Sequence, residues 1–417
     1  MNSKICLITP RHISYNPRLV KEADTLHEAG YNVRVVALSH TPEKDKLDAR
    51  LMKWREWTLE IVAAHQSHPL ELIRWFKASM RQKLSQAVHA RTTSWLRDRA
   101  YSRYVSELSA LAGKQQADLY IAHNLQALPA AFQAAQQHDA FLGFDAEDFH
   151  RGEFAADDGS QRKRLTEQVE AEYLPCCDHV TAASEGIANA YANALDIPAP
   201  TVVLNTFPKS ERDGHTPKAE LDQEREAGTI SLYWYSQTIG PDRGLQDVIR
   251  ALPSLDERVV LTLRGQWANG FESVFRDLAR EHDVEHRLRV LPPAPPDQLV
   301  ERAAQHDIGL ALEQAHTPNR DLCVTNKILA YLLAGIPVIA TSTTGQRRIC
   351  ETIPDASRTV PIGHAEAIAD AVQDLMATSA VLAAAKEAAR EAGERRYNWK
   401  LETDRLTKKV KQTLINV

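Results

Sequence analysis

The sequence is poor in the features that mark a secreted, membrane-spanning or nucleic-acid-binding chain. It has five cysteines in 417 residues, at Cys6, Cys176, Cys177, Cys323 and Cys350. Their number is odd, their spacing is scattered, and neighbours Cys176 and Cys177 have no CxxC partner, so neither a disulfide framework nor a zinc site is supported. They read as reduced, buried thiols of a cytoplasmic protein. No run approaches the ~20 apolar residues that cross a bilayer. The opening run Ile5-Cys6-Leu7-Ile8 is too short for a signal peptide. Basic charge is not in excess: 50 Lys and Arg against 55 Asp and Glu give a net −5, which excludes a general nucleic-acid binder as the expected class. Low-complexity tracts and convincing internal repeats are also missing. What is present, 43% apolar and 25% charged residues, is ordinary globular composition. At roughly 150 residues per domain, the chain should hold two or three domains.

Strand and helix signals alternate. Ile5 to Thr9 reads as a buried strand. Asn16 suits an N-cap and Pro17 a first helical turn, and Leu19, Ala23 and Leu26 recur at helical spacing until Gly30. A strand over 33–38 completes a βαβ unit, the start of a parallel sheet. Further strands fit 60–63, 119–122, 141–144, 179–182 and 201–204. Residues 209–228 are polar and have little to bury, so they read as a linker. A second series follows, with strands at 230–235, 259–264, 288–291, 308–311 and 338–340. Helices are expected at 245–252, 296–305, 326–334 and 364–378. Two α/β halves facing one another across a cleft would bind ligands beyond the carboxyl ends of their strands.

In the second half, Ser236-Gln-Thr-Ile-Gly-Pro-Asp-Arg-Gly-Leu245 runs from strand into helix. Gly240 and Gly244 permit close backbone approach, the helix start offers free N–H groups, and Arg243 adds a forked permanent cation. The same pattern fits a plain βα turn with a solvated Arg. Thr325-Asn326-Lys327 opens another helix, where Lys327 adds charge to a site already favourable to anions. Arg243 and Lys327 could meet on one diphosphate. Arg264 ends a strand of this half, and Glu313 follows another, where a carboxylate can grip hydroxyl groups or simply sit on a rim.

In the first half, His123-Asn124 follows a strand, as does the cluster Asp145, Glu147, Asp148 with His150. An imidazole there can donate or accept a proton or hold a structural hydrogen bond. Clustered carboxylates can orient hydroxyls, and a metal is their rival use. Between 70 and 104, Arg74, Lys77, Arg81, Lys83, Arg91, Arg97, Arg99 and Arg103 are interleaved with Leu70, Leu72, Trp75, Phe76, Leu84, Trp95 and Tyr101. That segment either lies on an anionic bilayer or is a helical insertion packing Trp75 and Trp95 into the core.

These residues resemble the retaining glycosyltransferases of family 4, with the GT-B fold. The resemblance runs over nearly the whole chain: the run from Leu119 to Ala130, Cys177 to Glu185, Val203 to Pro208, the Arg243-Gly244 turn, and Asn326-Lys327 through Pro337. It implies two facing Rossmann-like domains with an interdomain cleft: an acceptor-binding domain over 1–208 with a basic helical insertion at 68–112, a linker at 209–228, a nucleotide-sugar-binding domain over 229–398, and a helix over 399–417 returning to the first domain. It implies metal-independent transfer from a nucleotide sugar, UDP- or GDP-linked, with no other cofactor, to a glycan or lipid-linked acceptor in surface polysaccharide assembly. The catalytic set becomes His123 facing the sugar, with Arg243 and Lys327 on the leaving diphosphate. Donor contacts fall to Gly240, Gly244, Arg264, Glu313, Thr325 and Asn326, and acceptor contacts to Arg11, Asn16, Asp145, Glu147 and Asp148. The expected location is cytoplasmic, including the inner face of the membrane.

The family's paired Glu is absent: Leu322 and Ala330 occupy its positions, with Asp321 or Glu313 as substitutes. The first loop reads Arg11-His12-Ile13-Ser14-Tyr15 in place of the common Gly-Gly. A catalytically inactive sugar-nucleotide-binding subunit and a GT-B epimerase are the alternatives.

Overall fold

The computed structural model describes residues 3–65, 69–88, 94–155, 157–214, 216, 220–221 and 228–415. Arg91, position 68, most of 215–227 and the last two residues, all named in the expectations above, lie outside the described residues. The chain divides into two compact units, Met1–Val203 with Thr403–Val417, and Leu204–Glu402.

The strands of the first unit are Lys4–Thr9 (β1), Asn32–Ser39 (β2), Thr58–Ala63 (β3), Leu119–His123 (β4), Phe141–Ala146 (β5), His179–Ala182 (β6) and Thr201–Val202 (β7). They form one parallel sheet in the order β3-β2-β1-β4-β5-β6-β7. The sheet has helices on its faces, so its central strands are apolar throughout; Ile5 to Ile8 are all buried. Helix Pro17–Glu28 follows β1 because Asn16 Oδ1 accepts the Leu19 N–H and Pro17 needs no donor.

The second unit repeats the plan with Ile230–Ile239 (β8), Val259–Trp267 (β9), Leu288–Leu291 (β10), Ile308–Ala311 (β11), Val338–Thr341 (β12) and Ser357–Val360 (β13). The order is β10-β9-β8-β11-β12-β13, again all parallel. In each sheet the direction of winding reverses once, between β1 and β4 and between β8 and β11. Such a switch point opens a crevice beyond the strand ends.

Several boundaries differ from expectation. The first unit ends at Val203, and the described part of 209–228 packs on the second unit: Arg212 pairs with Glu394 at 2.6 Å, Thr216 N–H donates to Glu301, and Leu221 is buried. The expected helix at 296–305 shortens to Leu299–Ala303 behind a tight turn. Helix Trp399–Ile415 starts in the second unit, and its later part packs in the first, where Lys409 Nζ donates to Asp178 O. All five cysteines are free, but only Cys6 and Cys350 are buried; Cys176 is exposed.

The insertion forms helices Pro69–Val88, Ser94–Tyr101 and Val105–Ala112. The first is two-faced. Ala78 and Ser85 are buried on one side, while Leu70, Ile73, Phe76, Met80 and Leu84 are exposed on the other. Neither tryptophan enters the core: Trp75 is half-buried, and Trp95 is exposed with Arg99 over its ring. Arg97 turns inward to Asp98 and Glu172, and Arg81 pairs with Glu107, so the basic residues do not form one charged face. Among the described residues no single helix is long and apolar enough to cross a membrane.

Candidate active site

The site of the second unit is built at the switch between β8 and β11. β8 continues to Ile239 with a bulge between Tyr235 and Thr238. The chain then turns through Asp242 and Gly244, both in the left-handed region, at φ 58° and 68°. A Cβ on Gly244 would lie 2.8 Å from Leu312 O and from the Gln314 amide, so glycine lets this loop close onto the segment after β11. Arg243 is half-buried on that loop and makes no ion pair among the described residues.

Glu313 follows β11 and gathers the charges. Its Oε1 accepts from Lys327 Nζ at 2.7 Å and from Thr325 Oγ1 at 3.3 Å, and its Oε2 lies 3.5 Å from Arg320. Burial alone would raise the Glu313 carboxyl. Lys327, Arg320 and Arg243 outweigh it and hold the group at about 2. Arg243 and Lys327 therefore act on the same carboxylate. Three cations against one carboxylate leave an excess of positive charge suited to a diphosphate. Because the Thr325 hydroxyl turns to Glu313, helix Asn326–Ala334 starts without a side-chain cap. Its first N–H groups add to the positive field.

Other donor-side expectations are corrected. Arg264 does not end a strand. β9 runs on to Trp267, so Arg264 is buried inside the sheet, donating to Tyr233 Oη and Pro292 O. At Gly240 an added Cβ would meet Ala268 Cβ at an ordinary 3.4 Å, so packing within the protein does not require glycine there. Glu313 is a partner of the cations and not a free carboxylate for hydroxyls. Asp321 is also engaged, accepting the Thr344 N–H. Asn326 is exposed, while Ala330 sits in the core and Leu322 is half-buried.

In the first unit the acceptor-side expectations change more. β4 extends to His123 and β5 to Ala146, with His123 paired in register to Asp145. Both side chains are fully buried. Arg18 clamps Asp145 through two hydrogen bonds, at 2.6 and 2.7 Å, and Thr181 adds a third. His123 lies 3.2 Å from Glu22 and 3.3 Å from Asp145, set off the hydrogen-bond line. Burial disfavours its charged form, but Glu22 and Asp145 prevail and push the imidazole up to about 10. His123 and Asp145 are therefore buried and engaged with Glu22, Arg18 and Thr181, and are not exposed beyond a strand end as expected. Asn16 is likewise withdrawn, buried as the helix cap. Arg11 is exposed, and Glu147 and Asp148 are half-buried. Burial first and then Asp145 raise the Glu147 carboxyl.

Arg18, Glu22 and Arg320 were not anticipated. Arg18 is 127 positions from Asp145, and no local spacing announces such a pair. Among the described residues two groups bring three ligand atoms together, Glu22-His123-Asp145 and His12-Asp45-Asp48. In the first, Arg18 already covers both Asp145 oxygens. In the second, His12 Nε2 accepts the His40 and Thr41 N–H groups, so its proton lies on Nδ1, toward Asp48 at 2.9 Å. Neither donor set is free for a cation.

Residues 231–378 match the family model of glycosyl transferases group 1, a little over a third of the chain. No curated protein matches in sequence. Among solved structures, Anabaena HepE with UDP-glucose superposes with a TM-score of 0.72 over 99% of this chain and 100% of its own, at 14% identity. The chain has the GT-B fold. Thermosynechococcus elongatus sucrose-phosphate synthase agrees, with a TM-score of 0.74, full coverage of both chains and 15% identity. So does a TarM variant from S. aureus in complex with fondaparinux, α-GlcNAc-glycerol and UDP, at 0.69, full coverage of both and 10% identity. The family match contains Arg243, Glu313 and Lys327, the charged centre of the second GT-B unit.

Proposed function

We propose that this chain is a glycosyltransferase that moves a sugar from a UDP-linked donor to a glycan or lipid-linked acceptor. The second unit holds the donor and the first holds the acceptor. The observation that carries this is the pairing of Lys327 and Arg320 with Glu313 at the switch point of the second sheet, with Arg243 adding its field to the same carboxylate. Charge grows on the diphosphate as the sugar bond breaks, and fixed cations in a partly buried site stabilise it, about 3 kcal/mol for one such donor. Glu313 keeps Lys327 aimed through its hydrogen bond. Transfer proceeds with retention and without a metal, the leaving phosphate accepting the acceptor's proton. UDP is favoured over GDP because HepE and TarM were solved with UDP. The exposed apolar stripe of helix Pro69–Val88, flanked by exposed Lys77 and Lys83, supports attachment to an anionic inner membrane face, in keeping with surface polysaccharide assembly.

Thermal-shift screening with UDP, GDP and CMP, followed by donor hydrolysis and transfer assays, tests this. Stabilisation by UDP and turnover of a UDP-sugar are expected; no nucleotide binding sinks it. Leu322 and Ala330, in place of the family's Glu pair, favour a second reading, a binding subunit without turnover. UDP binding with no turnover over a panel of lipid and sugar acceptors would select it. An epimer formed from donor alone would point to epimerase chemistry instead.

A further inference from the structure

With His123, Asp145 and Asn16 buried, the first unit needs another place for an acceptor. A cavity of about 380 Å³ lies beyond its sheet, touching Pro10, His40, Ala64 and Gln126 after β1, β2, β3 and β4. That is within the range of about 300–1,000 Å³ typical of small-molecule sites. The insertion helices close it with Trp75, Gln82 and the segment Tyr101–Tyr104.

Its charge is one-sided. Arg103 and Arg162 line it, and no carboxylate does. Arg103 Nε donates to Gln82 Oε1 at 3.1 Å, and the guanidinium lies 5.9 Å from the Trp75 ring. Arg162 Nη1 donates to Tyr101 O at 2.9 Å, with its guanidinium 4.1 Å over the Tyr101 ring. Neither arginine has an ion-pair partner among the described residues. Arg103 is oriented by Gln82 and the Tyr104 hydroxyl and Arg162 by the Tyr101 carbonyl and ring, all neutral groups, which leaves N–H groups of each fork for a ligand. His40 adds no charge at neutral pH, because burial, His12, His65 and Arg11 all lower it. Tyr101 and Tyr104 remain neutral: burial raises both phenols, Tyr101 to about 12. Two preorganised guanidiniums, one against the buried Tyr101 and one near the half-buried Trp75, with Gln82 and Gln126 for hydroxyls, suit a phosphate joined to a sugar.

We propose that this cavity binds the phosphate group of the acceptor, so that the acceptor is a phosphate-bearing molecule. The inference rests on the transferase reading above. The phosphate could belong to a soluble sugar phosphate or to a lipid headgroup. Helix Pro69–Val88 allows the second, since it turns Trp75 and Gln82 to the cavity and exposes Ile73, Phe76, Met80 and Leu84 on its other side.

The test uses the full chain with UDP at saturation, so that phosphates cannot report on the donor site. Glucose 1-phosphate, glucose and glucuronate are titrated by calorimetry, and phosphatidic acid vesicles are compared with phosphatidylcholine vesicles by flotation. The expected result is binding of glucose 1-phosphate, of phosphatidic acid vesicles, or of both, at least tenfold tighter than their uncharged or zwitterionic counterparts. R103Q and R162Q should each weaken that binding about tenfold, and R103K should restore part of it. Arg162 is exposed, so R162Q tests the site without disturbing the core. The sugar phosphate arm alone identifies a soluble acceptor and the vesicle arm alone a lipid one. Binding that survives both glutamine variants, binding of glucuronate as tight as the phosphate, or no binding overturns the proposal. UDP affinity, measured on the same samples, keeps the failures apart: loss of UDP binding in the unsubstituted protein sinks the transferase reading, and retained UDP binding without phosphate binding sinks only the cavity.

Discussion

Arg243 and Lys327 both lower the Glu313 carboxyl but sit in different surroundings, and their substitutions should separate chemistry from stability. Arg243 is half-buried without an ion pair among the described residues. R243A should therefore lower turnover of a UDP-sugar about a hundredfold or more and leave the melting temperature nearly unchanged; normal turnover would remove Arg243 from the diphosphate. Lys327 is buried against Trp234 and bonded to Glu313. K327M removes the nearest partner of that carboxylate and leaves Thr325 and Arg320, so it should cost about 1–3 kcal/mol in denaturant unfolding as well as activity. At this scale the sequence was half legible. Arg243, Glu313 and Lys327 stand after strands, where a chemical group is expected. His123, Asp145 and Arg264 look the same in sequence but lie inside the sheet, because β4, β5 and β9 run on beyond their continuous apolar runs to His123, Ala146 and Trp267. A charged side chain normally marks a strand end; here Arg18 and Glu22, far away in sequence, and the Tyr233 hydroxyl make burial tolerable.

Between elements, the donor loop depends on two glycines, of which the sequence pointed to Gly244 and not to Gly265. A Cβ on Gly265 would sit 2.4 Å from Ser236 O, so glycine at φ 153° lets the β8 bulge approach β9. Gly244 does the same against the segment after β11. G244V should force the Arg243 loop away from Glu313. Misplacement of about 1 Å typically costs a hundredfold in rate, so steady-state kinetics should show a loss close to that of R243A with the fold retained by circular dichroism. Unchanged kinetics would show that the loop does not need its contact with Leu312. Most strands announced themselves through apolar runs. β13 did not: Ser-Arg-Thr-Val at the sheet edge has three polar residues of four, and only its ends are buried.

For the whole molecule, the two units keep their charge in different ways, and alkaline pH should tell them apart. The first unit encloses Arg18, Glu22, His123 and Asp145 beneath its switch point, and His123 is raised from 6.5 to about 10. A folded-state pKa above the unfolded one means that the folded protein holds the proton more tightly. The stabilisation is complete below pH 6.5. Between pH 6.5 and about 10 the unfolded chain has lost its proton and the folded one has not, so stability falls with pH, and the contribution is gone above that window. The second unit's corresponding group is Glu313, depressed from 4.5 to about 2. Its contribution is present above pH 4.5 and is lost only as pH drops toward 2, so it is constant across the alkaline window. Hydrogen exchange read by mass spectrometry at pH 7 and pH 10, corrected for intrinsic rates, resolves the units separately. Strands β1, β4 and β5 should lose protection on the order of a few kcal/mol, while β8, β11 and β12 lose little. H123Q should flatten the first unit's response. An equal response in both units, or an unchanged slope in H123Q, would mean that His123 is neutral in the folded protein and that the clamp on Asp145 is made by Arg18 alone.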